Sequence, residues 1–178
     1  MPDAPKRVMI GMPHTSNMDG VLAIATLSAV GLRASTMIKD TAFHGLLGVM
    51  LRWFGAIPIN RRSPKGVVEQ SVDAFNRSEQ MILLIAVEGT RHSARELKRG
   101  FYHIAMGAKA PIQINAVHYG RRIVTLGPLI VPTGDFEADV REMMKFYVAT
   151  ASPRHVERMS KPMCEALGVE WTGSETKP

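Results

Sequence analysis

Apolar positions along the chain fall into short continuous runs that alternate with longer segments of helical length. Val8 to Met12 is one such run and predicts a buried strand. Asn17 or Asp19 to Leu32 is rich in Ala, Leu and Ile and predicts a helix. Ser16 suits its N-cap, Asp19 the capping-box position three residues on, and Gly31 its C-terminal end. Ala34 to Ile38 predicts a second short strand that ends at Lys39. Gly45 to Gly55 is apolar, with Trp53 and Phe54 near its end, and predicts a helix despite Gly48. Ile57-Pro58-Ile59 is extended, and Ser63-Pro64 opens a helix to about Arg77, since proline suits the first helical turn. Met81 to Val87 is the strongest candidate for a central strand.

The second half continues the alternation. A basic stretch runs from Arg91 to Arg99, and Gly100 to Lys109 predicts a short helix. Pro111 to His118 and Arg122 to Leu126 read as two strands joined by Tyr119-Gly120-Arg121. Gly127 to Gly134 is extended, and its two prolines place it at a sheet edge. Asp135 to about Thr150 is an amphipathic helix, and Pro153 to Leu167 a weaker last one. Residues 1–7 and 168–178 read as loose ends. Strands alternating with helices imply an α/β fold, with a mixed, mostly parallel sheet flanked by helices. No repeat, low-complexity tract or linker divides the chain, so residues 1–178 form a single domain.

Composition narrows the class. With 178 residues and 46% hydrophobic content the chain is globular and has material for a real core. The longest uncharged apolar run, Gly20 to Leu32, is shorter than the roughly 20 residues a bilayer requires. No secretory signal is visible at the N-terminus. Cys164 is the one cysteine, which excludes an intramolecular disulfide, offers no zinc cluster and fits a reducing compartment. The net charge of +6 favours nucleic acid, anionic membrane or phosphorylated ligands as partners. Aromatic residues are only 6%, with no stacking motif of the single-strand binders, which argues against nucleic acid.

Candidate chemistry concentrates at the ends of the predicted strands. His14 and Asp19 flank the turn between the first strand and the first helix. A histidine can take a proton from a hydroxyl near neutral pH, and a carboxylate on its other nitrogen fixes the tautomer. The spacing alone arises by chance roughly 0.2 times in this composition. Read by itself, the pair is more simply a turn residue and a helix cap. No Gly-x-Ser-x-Gly serine accompanies it, so a catalytic pair here would activate the substrate's own hydroxyl. Glu88-Gly89-Thr90-Arg91 closes the strongest strand, where open α/β sheets place ligand sites. Thr90 and the adjacent amides suit an oxyanion, Gly89 permits close approach, and Arg91 suits a bidentate phosphate contact. Gly55 to Arg62 again ends an extended segment in arginines, including Arg61. Lys98-Arg99 precedes a predicted helix whose N-terminus attracts anions.

These stretches, taken together and in this order, resemble the glycerophospholipid acyltransferase family, which includes the 1-acylglycerol-3-phosphate acyltransferases. The first block is similar to His14-Thr15-Ser16-Asn17-Met18-Asp19, the second to Gly55 through Arg61, and the third to Glu88-Gly89-Thr90-Arg91. Lys39-Asp40 is similar to the family's lysine–acid pair, and Ala110 to Ile114 to a weaker fourth block. The resemblance covers about Val8 to Val117, with Gly127-Pro128 and Pro132 to Asp135 similar to a short subgroup. Val87 replaces the usual proline before the glutamate, and Asn60 a frequent aspartate; neither removes a group that the chemistry needs.

The resemblance implies acyl transfer from acyl-CoA or acyl-carrier protein to a hydroxyl of a lysophospholipid-type acceptor, without an acyl-enzyme and without a metal or further cofactor. It implies His14 as general base and Asp19 as its orienter, with Lys39, Arg61, Glu88, Gly89, Thr90, Arg91 and Lys98 around the acceptor. Many relatives carry membrane helices before the histidine block. Here Met1 to Arg7 precede the first strand, so the expectation is a cytoplasmic protein held peripherally at the inner membrane face. Leu46 to Phe54 is either a bilayer-docking helix or an ordinary core helix. Two other readings stand beside this one. One is a non-catalytic basic module that binds lipid or phosphate. The other is transfer to a non-glycerol acceptor such as an amino-acid lipid, whose carboxylate an arginine also binds. The His-His-x-x-x-Asp-Gly block of peptide-synthetase condensation domains is a weaker likeness, because Thr15 stands at its second histidine.

Overall fold

The computed structural model describes residues 4–60, 62–63, 65–90 and 93–173. Among them the strands are β1 (Lys6–Gly11), β2 (Ala34–Lys39), β3 (Ile57–Ile59), β4 (Met81–Ile85), β5 (Ile112–His118) and β6 (Ile123–Ile130). The α-helices are α1 (Asn17–Ala29), α2 (Gly45–Trp53), α3 (Val67–Arg77), α4 (Gly100–Ala108), α5 (Phe136–Thr150) and α6 (Lys161–Leu167). The strands form one sheet in the order β3-β2-β4-β1-β5-β6. Every pairing is parallel except β5 with β6. The mixed, mostly parallel α/β sheet read from the sequence is therefore the fold.

The central strands are continuously apolar because both faces of the sheet are covered. The two faces are covered unequally. On one, Val8, Ile10, Leu83, Ile112 and Ile114 meet Phe75, Phe101, Met143, Tyr147 and Met163 in the main core beneath α3, α4, α5 and α6. On the other, Met9 and Ile82 meet Leu27 of α1 in a small cluster. Within α1 only Asp19 and Leu27 are buried.

Right-handed crossovers running in the same direction across the sheet put α1 and α2 on the same side. In α2 only Gly48 is buried. A Cβ there would stand 2.5 Å from the Phe43 carbonyl carbon, so the glycine lets the helix sit on the backbone of its own connecting segment. Leu46, Trp53 and Phe54 remain 85%, 69% and 64% exposed. The segment is a helix as read, but it is not a core helix.

Several boundaries differ from the sequence reading. The helix expected from Ser63-Pro64 begins at Val67. The preceding residues close instead on Gln70, whose side chain bonds the backbone of Asn60 in both directions and the Lys65 carbonyl at 2.7 Å. Ser63 Oγ accepts the Lys65 N–H at 3.1 Å, a local turn that competes with helix; Pro64 lies outside the described residues. The last helix is broken into a 3-10 turn, Val156–Arg158, and α6. Met159 and Ser160 between them are buried, and the Lys161 N–H bonds the Ala94 carbonyl at 2.8 Å, which pulls this segment inward. The ends also start and stop elsewhere: β1 begins at Lys6, and Trp171 packs against the main core.

Candidate active site

Parallel strands align their C-terminal ends along one sheet edge, where α/β folds present ligand sites. The sheet order sets the blocks side by side along that edge. The His14 turn follows β1, and Glu88 to Thr90 follow the adjacent β4. Lys39 ends β2 beyond it, in register with Ile59 of β3. At about 4.8 Å per strand, Lys39 stands roughly 10 Å across the sheet from the β1 end. Arg61 and Arg91, the two arginines singled out in the sequence, lie outside the described residues.

The His14 turn is built by its own helix cap. Ser16 Oγ accepts the Met18 N–H at 3.0 Å. Asp19 Oδ2 accepts the backbone N–H groups of Thr15 and Ser16, each at 2.8 Å. The same oxygen stands 3.5 Å from His14 Nδ1, with the imidazole 21% exposed. The capping box and the histidine–carboxylate pair thus use one carboxylate. Its second oxygen, Oδ1, accepts the Tyr119 hydroxyl at 2.5 Å.

Glu88 lies beneath this turn. It is 3% exposed, and its Oε2 accepts the His14 N–H at 2.6 Å. Burial pushes the Glu88 carboxyl up, opposed by the donors from Ser160 and the His14 backbone and reinforced by the Asp19 charge. Its carboxylate therefore faces the histidine turn, not an acceptor in the open. Gly89 adopts φ +66°, and a Cβ there would meet Lys98 Cγ at 3.2 Å, so the glycine lets the Lys98 stem cross over it. Lys98 Nζ is exposed at 3.6 Å from Glu96. Thr90 is half-buried after Gly89. Arg99, next in sequence, stacks over the Phe136 ring at 4.6 Å and pairs with Glu137 at 2.7 Å, which ties α4 to α5.

An apolar cleft of about 250 Å³ opens beside His14 and runs between α1 and the sheet. Gly20 and Ala23 line its helix side; Gly11, Leu84, Val117 and Leu126 are among the sheet residues. Met9 and Leu27 reach its inner end, where they belong to the small core cluster. Gly20 and Ala23 leave room for the cleft at positions where a sheet-packing helix ordinarily carries large side chains, while Ile24 and Leu27 of the same helix also line it. Asp19 is the one carboxylate on its wall among the described residues.

Two supports of the site had no signal in the sequence. Tyr119 reaches Asp19 from the β5–β6 turn, 100 positions away. The segment after α5 backs the buried Thr15: the His155 N–H reaches Thr15 Oγ1 at 3.4 Å, and Arg158 Nη1 reaches the Thr15 carbonyl at 3.5 Å. Contacts of this kind follow from the topology, not from local spacing.

The sequence model of a family described as Acyltransferase matches residues 3–118, a span that contains the His14 turn, Lys39, Glu88 and the sheet edge that carries them. No curated protein and no solved structure gives a further match.

Proposed function

The chain belongs to the glycerophospholipid acyltransferase family, and from that premise we propose that it moves a fatty acyl group from a thioester donor to a hydroxyl of a lysophospholipid-type acceptor. The observation that carries this reading is the His14–Asp19 pair at the mouth of an apolar cleft. Asp19 holds Nδ1 of His14, which leaves Nε2 to take the proton of the acceptor hydroxyl. The hydroxyl oxygen attacks the thioester carbonyl, and backbone amides stabilise the tetrahedral oxyanion. The carbon–sulfur bond then breaks, and the imidazolium returns its proton to the departing thiolate. No bond to the protein forms at any step.

The cleft takes the acyl chain. Lys39, Lys98, Thr90, Arg61 and Arg91 supply the acceptor end, and the phosphate monoester is their natural ligand. Glu88 acts from below, by holding the backbone of His14.

The acceptor is a lipid, and the exposed apolar side of the protein suits a peripheral membrane contact. Leu46, Val49, Trp53 and Phe54 of the α2 segment, with Val21 and Ile24 of α1, are exposed on the side that carries the cleft. A helix of this kind, on a chain of net charge +6, fits an anionic bilayer surface. Among the described residues no helix is long and apolar enough to cross a membrane.

The test is a transfer assay with labelled acyl-CoA or acyl-carrier protein and a panel of acceptors. The panel holds 1-acylglycerol-3-phosphate, the same lipid without its phosphate, and an amino-acid lysolipid. Transfer to the phosphate monoester above the other two is the expected result. Transfer to the amino-acid lipid alone overturns the acceptor assignment, and salt-sensitive binding with no transfer overturns the enzymatic reading.

A further inference from the structure

The two oxygens of Asp19 have separate tasks. Oδ2 accepts the N–H groups of Thr15 and Ser16 and faces His14 Nδ1 at 3.5 Å. Oδ1 points the other way, and Tyr119 donates its hydroxyl to it at 2.5 Å. A carboxylate held on one oxygen only can turn about its Cβ–Cγ bond, and that turn exchanges which oxygen meets the histidine. Held on both, it is fixed. Tyr119 is well placed to fix it. Its own N–H bonds the Ser152 carbonyl at 3.1 Å, and its carbonyl accepts the Arg122 N–H at 3.2 Å. The ring is therefore delivered from a turn that is closed by its own Arg122 N–H and bound to the segment after α5.

We propose that Tyr119 is a positioning residue of the site: it locks the Asp19 carboxylate so that Oδ2 faces His14 Nδ1, the arrangement in which Nε2 acts as the base. The proposal rests on the reading of His14 as general base. Tyr119 acts through Asp19 and needs no contact with substrate. Burial, and then the bond to Asp19, push the phenol above its ordinary value, so it stays a donor throughout the working pH range. A tyrosine serves here better than a charged donor. A lysine or arginine at Oδ1 would neutralise the carboxylate and weaken its support of the imidazolium, whereas a neutral hydroxyl holds the geometry and leaves the charge.

The role also gives a function to the β5–β6 turn. The two strand ends nearest His14 on either side carry one support each: Glu88, beyond β4, holds the histidine backbone, and Tyr119, beyond β5, holds the aspartate side chain. The site is clamped from both neighbours of β1.

The experiment uses the full chain with Tyr119→Phe, Asp19→Asn, the double variant and His14→Ala, all in the acyl-transfer assay. Tyr119→Phe is expected to lower kcat roughly tenfold, the worth of one hydrogen bond to a charged group, with KM for donor and acceptor unchanged. In the Asp19→Asn background the same change is expected to cost nothing further, because the group it acts through is gone. A parallel reading uses ¹⁵N shifts of histidine-labelled protein, with His14→Ala assigning the signal. The wild type is expected to hold His14 with its proton on Nδ1, and Tyr119→Phe to show a mixture of tautomers. Full kcat with an unchanged tautomer in Tyr119→Phe overturns the proposal, as does an equal loss in both backgrounds. If His14→Ala transfers as fast as the wild type, the general-base reading falls and the role of Tyr119 falls with it.

Discussion

The Glu88 carboxylate accepts the backbone N–H of His14 at 2.6 Å, across 74 positions of sequence. This bond joins the end of β4 to the end of β1 at the residue proposed to do the chemistry. It makes the glutamate of the third block a support of the first.

Glu88→Ala leaves the His14 N–H without its acceptor in a mostly buried place. It is expected to cost about 2 kcal/mol of stability and to lower kcat more than the acceptor KM. Glu88→Gln keeps an acceptor oxygen and recovers most of both. Its effect depends on pH with a defined sign. The folded carboxyl lies above its ordinary value of 4.5, so it contributes stability fully below that pH and loses it as pH rises through the folded value. Melting curves should therefore show Glu88→Gln gaining on the wild type from about pH 4.5 upward. A constant gap across that range would contradict the assignment.

Asp139 has the opposite sign. Burial acts to raise its carboxyl, but the Tyr102 hydroxyl at 2.6 Å and the Thr133 donors outweigh it and leave the group below its ordinary value of 3.8. Its contribution is present above that pH and lost as pH falls through the folded value. Asp139→Asn is expected to lower stability by about 2 kcal/mol near neutrality, with the deficit closing in acid. Because the network ties α4, α5 and the 131–135 loop and none of Tyr102, Thr133 and Asp139 lines the cleft beside His14, kcat per folded molecule should not change.

How much of this was legible beforehand depends on how far apart the interacting residues stand in the chain. The Ser16–Asp19 capping box could be read from the sequence because its partners are three residues apart. The mostly parallel sheet, though not the order of its strands, followed from the alternation of apolar runs with helix-length segments. The bonds from Glu88 to His14 and from Tyr119 to Asp19 could not be read, since nothing local records which strand ends become neighbours. The helix at Gly45–Trp53 was visible, but not its exposure, because a segment whose one charged residue is Arg52 suits a covered helix as well as an exposed one. Ser63-Pro64 misled for a related reason: the pattern suits a helix start, and the distant bond from Gln70 to Asn60 decides against it.

The cleft makes a prediction about chain length. Ala23→Leu adds bulk one turn deeper than Asp19 and should shift donor preference toward shorter acyl chains, with transfer of the shortest donors kept. Gly20→Ala should do little to that profile and stabilise the fold by about 0.5–1 kcal/mol, the cost of a helical glycine. Its added Cβ meets nothing within 4 Å. The ratio of rates for a short and a long acyl donor, compared across the two variants, is the measurement. An unchanged ratio in Ala23→Leu would remove the acyl chain from the cleft.

Membrane contact is checked at α2. Trp53→Ser combined with Phe54→Ser should leave the melting temperature nearly unchanged, because both side chains are exposed. The pair should abolish cosedimentation with anionic liposomes at low salt. Transfer to a dispersed, short-chain acceptor should persist. Undiminished liposome binding by the double variant would place the contact elsewhere.

The most direct test of the central claim is the rate of acyl transfer to 1-acylglycerol-3-phosphate by His14→Ala, with circular dichroism confirming the fold. Loss of the general base predicts a fall in kcat of roughly 10²–10⁴-fold, with no acyl group retained on either protein when the reaction is quenched. Transfer by the folded variant at the wild-type rate, or an acylated protein trapped during turnover, would contradict the account.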